Sequence, residues 1–102
     1  MGMVSATVAT DSKYLSELSL VVRSTGQPQN PLIRHSFASS LFFSLLGSDV
    51  EKLIGGTYLI QLEAESKQAQ GQKRVVQTYE FSVDKTSFGT QQHFAFAYSP
   101  GQ

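Results

Sequence analysis

Cysteine is absent from the chain, which excludes disulfides, thiolate metal sites and thiol nucleophiles. The compartment stays open, since secreted domains of the sandwich type also do without disulfides. A net field is missing too: eight Lys and Arg offset eight Asp and Glu, so charge gathers no nucleic acid, anionic membrane or acidic substrate. No apolar run approaches the roughly 20 residues that cross a bilayer. The longest, Leu41 to Leu46, is interrupted by Ser44. The single asparagine, Asn30, precedes Pro31 and Leu32, so no Asn-x-Ser/Thr acceptor exists. Gly55 and Gly56 lack the Lys-Ser/Thr of a phosphate loop and lead into strand-like sequence. No serine stands in a GxSxG context.

What is present is a period of two. Side chains of a strand alternate between faces, so each alternating stretch offers one list to a core and one to solvent. Tyr58, Ile60, Leu62 and Ala64 form the apolar list of one stretch, against Leu59, Gln61, Glu63 and Glu65. Val4, Ala6 and Val8 oppose Ser5 and Thr7, and Leu18, Leu20 and Val22 oppose Ser19, Val21 and Arg23. "RVVQTYEFSVD" turns Tyr79, Phe81 and Val83 inward, and "QHFAFAYS" turns Phe94, Phe96 and Tyr98 inward. "PLIRHSFA" alternates weakly, and Pro28 and Pro31 make it a short or peripheral strand. In "SLFFSLL" Phe42 and Phe43 are neighbours that cannot both point inward, so one covers an end of the core or meets another surface.

Turn-rich segments separate these seven stretches. The expectation is an all-β fold, a seven-stranded antiparallel β-sandwich of immunoglobulin-like or prealbumin-like type. A chain of 102 residues suits one such domain over 1–102, with a single core and little space for a catalytic cleft. The opening Met-Gly-Met reads as an added or flexible start over 1–3, ahead of a piece of a longer protein. "GSDVEKLIGG" predicts a connection with barely one helical turn. Ser48 would be its N-cap and Glu51 the third helical residue of a capping box. Leu53 and Ile54 would tuck beneath, with Gly55 and Gly56 free to take positive φ.

Candidate chemistry is thin. His35 and His93 fall on separate strands at positions that predict the outer face, and no third metal ligand accompanies them. Glu63, Glu65 and Glu80 fall on outward, solvated positions rather than in a paired acid and base. Lys73 and Arg74 lie near alternating aromatics, as in an oligonucleotide-binding barrel, but those rings share the inward face with Val83. The residues therefore predict no catalytic group, no metal, no cofactor and no nucleic-acid partner. For an interaction surface they leave isolated apolar side chains: the exposed one of Phe42 and Phe43, Leu59, and Phe88 in the last turn.

The order of motifs carries a resemblance. "SKYLSELSLVVRSTGQPQNPLIRHSFASSLFFSLL", "GGTYLIQLEAES", "TYEFSVD" and "QHFAFAYSP" resemble the last lumenal β-sandwich domain of the nodal modulator family, from Val4 to Pro100. The most specific pieces are Tyr14-Leu15, Asn30-Pro31, the Ser40 to Phe43 run, the Tyr58 strand and the aromatic strand ending at Pro100. The resemblance implies a single-pass endoplasmic-reticulum membrane protein, with a lumenal rod of tandem sandwiches related to carboxypeptidase regulatory-like domains. It implies a scaffold rather than an enzyme. Implied partners are nicalin, other translocon-associated membrane proteins and adjacent sandwich domains of the same chain, in multipass membrane-protein biogenesis and receptor assembly.

Two other readings suit the same strand set. One is a carbohydrate- or small-ligand-binding extracellular sandwich, with the Gln-rich loops "KQAQGQK" and "TQQH" beside a groove. The other is a viral or phage structural domain of this architecture.

Overall fold

The structure is a computed structural model and describes residues 3–66, 71–86 and 90–100. Among them run seven strands: β1 (Met3–Ala9), β2 (Leu18–Ser24), β3 (Pro31–Ser36), β4 (Phe42–Leu46), β5 (Gly56–Glu65), β6 (Lys73–Val83) and β7 (Gln91–Ala97). A 3-10 turn at Ser12–Glu17 precedes β2, and a one-turn helix, α1 (Ser48–Glu51), follows β4. The strands form two sheets, a three-stranded β4-β1-β7 and a four-stranded β3-β2-β5-β6.

The apolar lists meet as the alternation requires. Val4 and Ala6 of the smaller sheet share one buried cluster with Leu18, Leu20, Val22, Tyr58, Ile60, Leu62 and Ala64 of the larger. Rings from the two sheets touch: Phe81 stands 5.5 Å from Phe94, and Tyr79 stands 5.3 Å from Phe96. At one end Tyr14 of the 3-10 turn meets Tyr98 edge-on at 5.8 Å.

The ladder departs from the expected antiparallel arrangement at one pair. β1 and β7 run parallel, Met3 opposite Gln91 through Ala9 opposite Ala97, whereas β1 and β4 are antiparallel. Alternation fixes which face a side chain takes; it carries no information on strand direction, because both ladders share the period of two.

The connection after β4 also differs from expectation. Gly47, with φ of 55°, is the N-cap of α1, so Ser48 already lies inside the helix and no side chain caps it. The capping box is therefore not made, because the left-handed glycine sets the chain's entry one residue earlier. Leu53 is buried and Ile54 packs partly against the core, as the sequence predicts. Gly55 has φ of 91°, but Gly56 does not take positive φ. Gly56 is small for another reason: a Cβ there would run into the Tyr58 ring. The Tyr58 hydroxyl donates to the Leu53 carbonyl at 2.9 Å, fastening the connection to β5.

A candidate interaction surface on the open side

Two sheets stacked on one core have four edge strands, here β4 and β7 of one sheet and β3 and β6 of the other. On one side the edges are tied together by side chains. The Tyr79 hydroxyl of β6 donates to the Ala95 carbonyl of β7 at 3.0 Å. Gln77 donates from Nε2 to the Tyr79 hydroxyl at 2.9 Å and accepts from the Ala97 N–H at 3.3 Å. Gln92 of β7 returns the link, donating to the Ser82 carbonyl at 3.2 Å. Amide and phenol side chains thus supply the bonds that a further strand would make.

Among the described residues the β3 and β4 side carries one such link, from His35 Nε2 of β3 to the Ser40 carbonyl ahead of β4 at 3.0 Å, and none is seen from β3 to β4 itself. Between them and α1 opens a groove of about 590 Å³ lined by Leu32, Ile33, Leu45, Leu53 and Tyr58, with Asp49 and Lys52 at its rim. Exposed large apolar side chains occur on these two strands and just before β4: Leu32 in the groove lining, and Leu41, Phe42 at 50% and Leu46 at 54%, the last two on the face of β4 opposite the groove-lining Leu45. Phe43 is buried in the core, so Phe42 is the member of the pair left outside. Leu46 is an addition to the surface expected from sequence, though continuing the alternation from Phe42 through Ser44 reaches it.

The other candidates do not join this patch. Leu59 lies half-buried on the outer face of the four-stranded sheet, opposite Arg23 and Glu80, on the far side of the molecule from Phe42. Phe88 falls outside the described residues.

That outer face holds a correction to the sequence expectation. Glu63 is not a solvated surface carboxylate; it is 6% exposed. Arg34 donates to it at 2.7 Å and Arg23 at 3.1 Å. Arg23 further donates to Gln61 Oε1 and to the Pro28 carbonyl. Val21, set between Arg34 and Gln61 in the ladder, is fully buried although it points outward. Burial pushes the Glu63 carboxyl up, but the hydrogen bond and charge of Arg34, then those of Arg23, outweigh it and hold the carboxyl below its usual range.

The histidines divide. His35 sits opposite Leu20 on the inner face, not the outer one, with its ring 5.5 Å from Phe37 and 5.4 Å from Phe43. The weak alternation of "PLIRHSFA" hides the phase of β3, which only pairing with β2 sets. His93 does face outward, its Nδ1 2.7 Å from the Ser5 hydroxyl and Nε2 3.3 Å from that of Thr7. The spacing matches a nucleophile and its base, but Ser5 is 1% exposed and closed to substrate. Thr7 takes the second ring nitrogen, where a triad needs an orienting carboxylate. The trio braces β1 against β7. Among the described residues no group of three or more His, Cys, Asp or Glu side chains is placed to hold a metal ion.

No helix of the described residues is long and apolar enough to cross a membrane. Compared with curated proteins, the chain finds no match. Compared with family models, it matches the NOMO C-terminal transthyretin-like domain over residues 1–100. Prealbumin being transthyretin, this is the prealbumin-like form of the expected fold. The match spans nearly the whole chain, and the chain belongs to the nodal modulator (NOMO) family through this domain.

Proposed function

We propose that this domain is a non-catalytic β-sandwich, of immunoglobulin-like construction, that spaces and docks its neighbours on the lumenal side of an endoplasmic-reticulum membrane protein. Its partners are nicalin-type and translocon-associated membrane proteins, together with adjacent sandwich domains of its own chain. Its role is in multipass membrane-protein biogenesis and receptor assembly. The observation that supports docking is the asymmetry of the edges: several side chains close the β6 and β7 side, whereas on the other side an apolar groove includes Leu32 in its lining, and Leu41, Phe42 and Leu46 stand exposed on and just before β4.

The test uses the full-length parent in microsomes. Phe42→Asp with Leu46→Asp should reduce co-purification of nicalin-type partners several-fold and leave thermal stability of the domain unchanged, since neither side chain belongs to the core. Undiminished capture by the double variant would overturn the docking surface.

One observation favours a second reading, a carbohydrate- or small-ligand-binding module. The groove, about 590 Å³ and mainly apolar in its lining, falls within the usual size of small-molecule sites. A saturable rise in melting temperature with glycans or small apolar compounds would move the assignment there.

A further inference from the structure

We propose that β4 is a self-association edge, along which two copies of this chain pair antiparallel about Ser44 and join their three-stranded sheets into one of six. The inference rests on the reading of the open side as a docking surface and names the occupant, a second copy.

Of the four edges, three are closed or guarded. β6 and β7 are tied to each other. β3 begins at Pro31, carries Arg34 and bulges against β2 between Val22 and Arg23, devices that discourage edge pairing. β4, "FFSLL", has no proline, no charge and no register shift against β1.

Its hydrogen-bonding groups also face the right way. The Phe42 N–H donates to Ser40 Oγ at 3.3 Å, and that hydroxyl donates back to the Phe42 carbonyl at 2.9 Å. Both main-chain groups of Phe42 are thus turned away from β1. The partner strand agrees, because the Met3 N–H donates to Thr90 on the β7 side, which leaves Val4 and Ala6 to bond β4. By the alternation of an antiparallel ladder, Ser44 and Leu46 share the orientation of Phe42 and present their N–H and C=O groups to the free edge. Ser40 plugs only the first of these positions, and rotation of one hydroxyl releases it.

The segment reads the same in both directions, two apolar residues on either side of Ser44. Antiparallel pairing about Ser44 sets Phe42 against Leu46 of the second copy, Ser44 against Ser44, and Leu46 against Phe42. Each exposed apolar side chain gains an apolar cross-strand partner, and no like charges meet on the two-fold axis. The groove opens between the β3 and β4 edges, so its mouth turns toward the second copy.

The lack of cysteine makes the test clean. Ser44→Cys should form a covalent dimer under mild oxidation roughly tenfold faster than Val75→Cys, an exposed position on the tied β6 edge, because pairing raises the local concentration of the first thiol alone. Sedimentation of the unmodified chain should show its mass doubling between low micromolar and near-millimolar concentration. Phe42→Lys with Leu46→Lys should stay monomeric with an unchanged melting temperature. Equal oxidation rates for the two cysteine variants, or an unmodified chain that remains monomeric throughout, overturns the proposal. If the chain is monomeric while partner capture still depends on Phe42 and Leu46, the edge serves another protein. Self-pairing then falls and the docking surface stands.

Discussion

The buried hydroxyl of Tyr58 donates to the main-chain carbonyl of Leu53 at 2.9 Å, tying the fifth strand back to the connection from which it emerges. The Tyr58 ring meanwhile packs on Phe81 at 5.5 Å. Tyr58→Phe keeps the ring and removes the bond, leaving the Leu53 carbonyl with the Gly56 N–H as its remaining donor, and is expected to cost about 0.5–1.5 kcal/mol. Tyr58→Ala removes the ring too, and about 3–5 kcal/mol is expected, as it is for Phe81→Ala. Chemical denaturation of the three variants checks the order. Losses under about 1 kcal/mol for both alanine variants would mean that these rings are not the core they form here.

Gly55 and Gly56 are adjacent but required for different reasons. At Gly55 the constraint is the backbone, with φ of 91° and open space where a Cβ would stand; at Gly56 it is the Tyr58 ring. Asparagine adopts left-handed backbone more readily than alanine does, so Gly55→Asn should be milder than Gly55→Ala by about a few tenths of a kcal/mol or more. At Gly56 alanine and asparagine should both destabilise, by about 1–3 kcal/mol, because any Cβ displaces the ring. Thermal melts of the four variants give the comparison.

Glu63 predicts a pH dependence. Its carboxyl titrates below the usual range when folded, so the stability it contributes is complete above the unfolded value of about 4.3 and is lost as pH falls through the lower, folded value. Glu63→Gln should therefore cost roughly 1–3 kcal/mol near neutrality. The gap between variant and parent should narrow as urea titrations are repeated at increasingly acid pH. A gap that stays constant on acidification would show that the clamp by Arg23 and Arg34 does not depend on charge.

The closed edge is testable through Tyr79. Tyr79→Phe loses the bond to the Ala95 carbonyl and the one from Gln77, and a cost of about 0.5–1.5 kcal/mol is expected. Hydrogen exchange should quicken at the Ala97 amide, which Gln77 holds, more than at core amides of β2 or β5. Uniform quickening across the molecule would mean that the edge is not a separate unit.

Much of this arrangement was legible in the sequence because burial and alternation coincide. Val4, Leu20, Ile60, Phe81 and Phe96 all take the face their spacing assigns. Information was lost wherever the deciding fact was which strand lies alongside which. His35 depends on the phase of β3 against β2, Glu63 on two arginines that reach it from neighbouring strands, and the β7 direction on a partner 88 positions away, as the Ser5 to His93 bond records. The open surface was half visible. Two adjacent phenylalanines announced that one would be left outside, and alternation carries that face on to Leu46, but that β3 and β4 are edge strands only the strand order shows.

The parallel pairing of β1 with β7 has a mechanical consequence. Met3 lies at one end of that seven-residue ladder and Ala97 at the other, so tension applied between them runs along the strands. Every rung is then strained in shear at once instead of peeling one after another. A chain linked through these two points would resist stretching as a stiff tether.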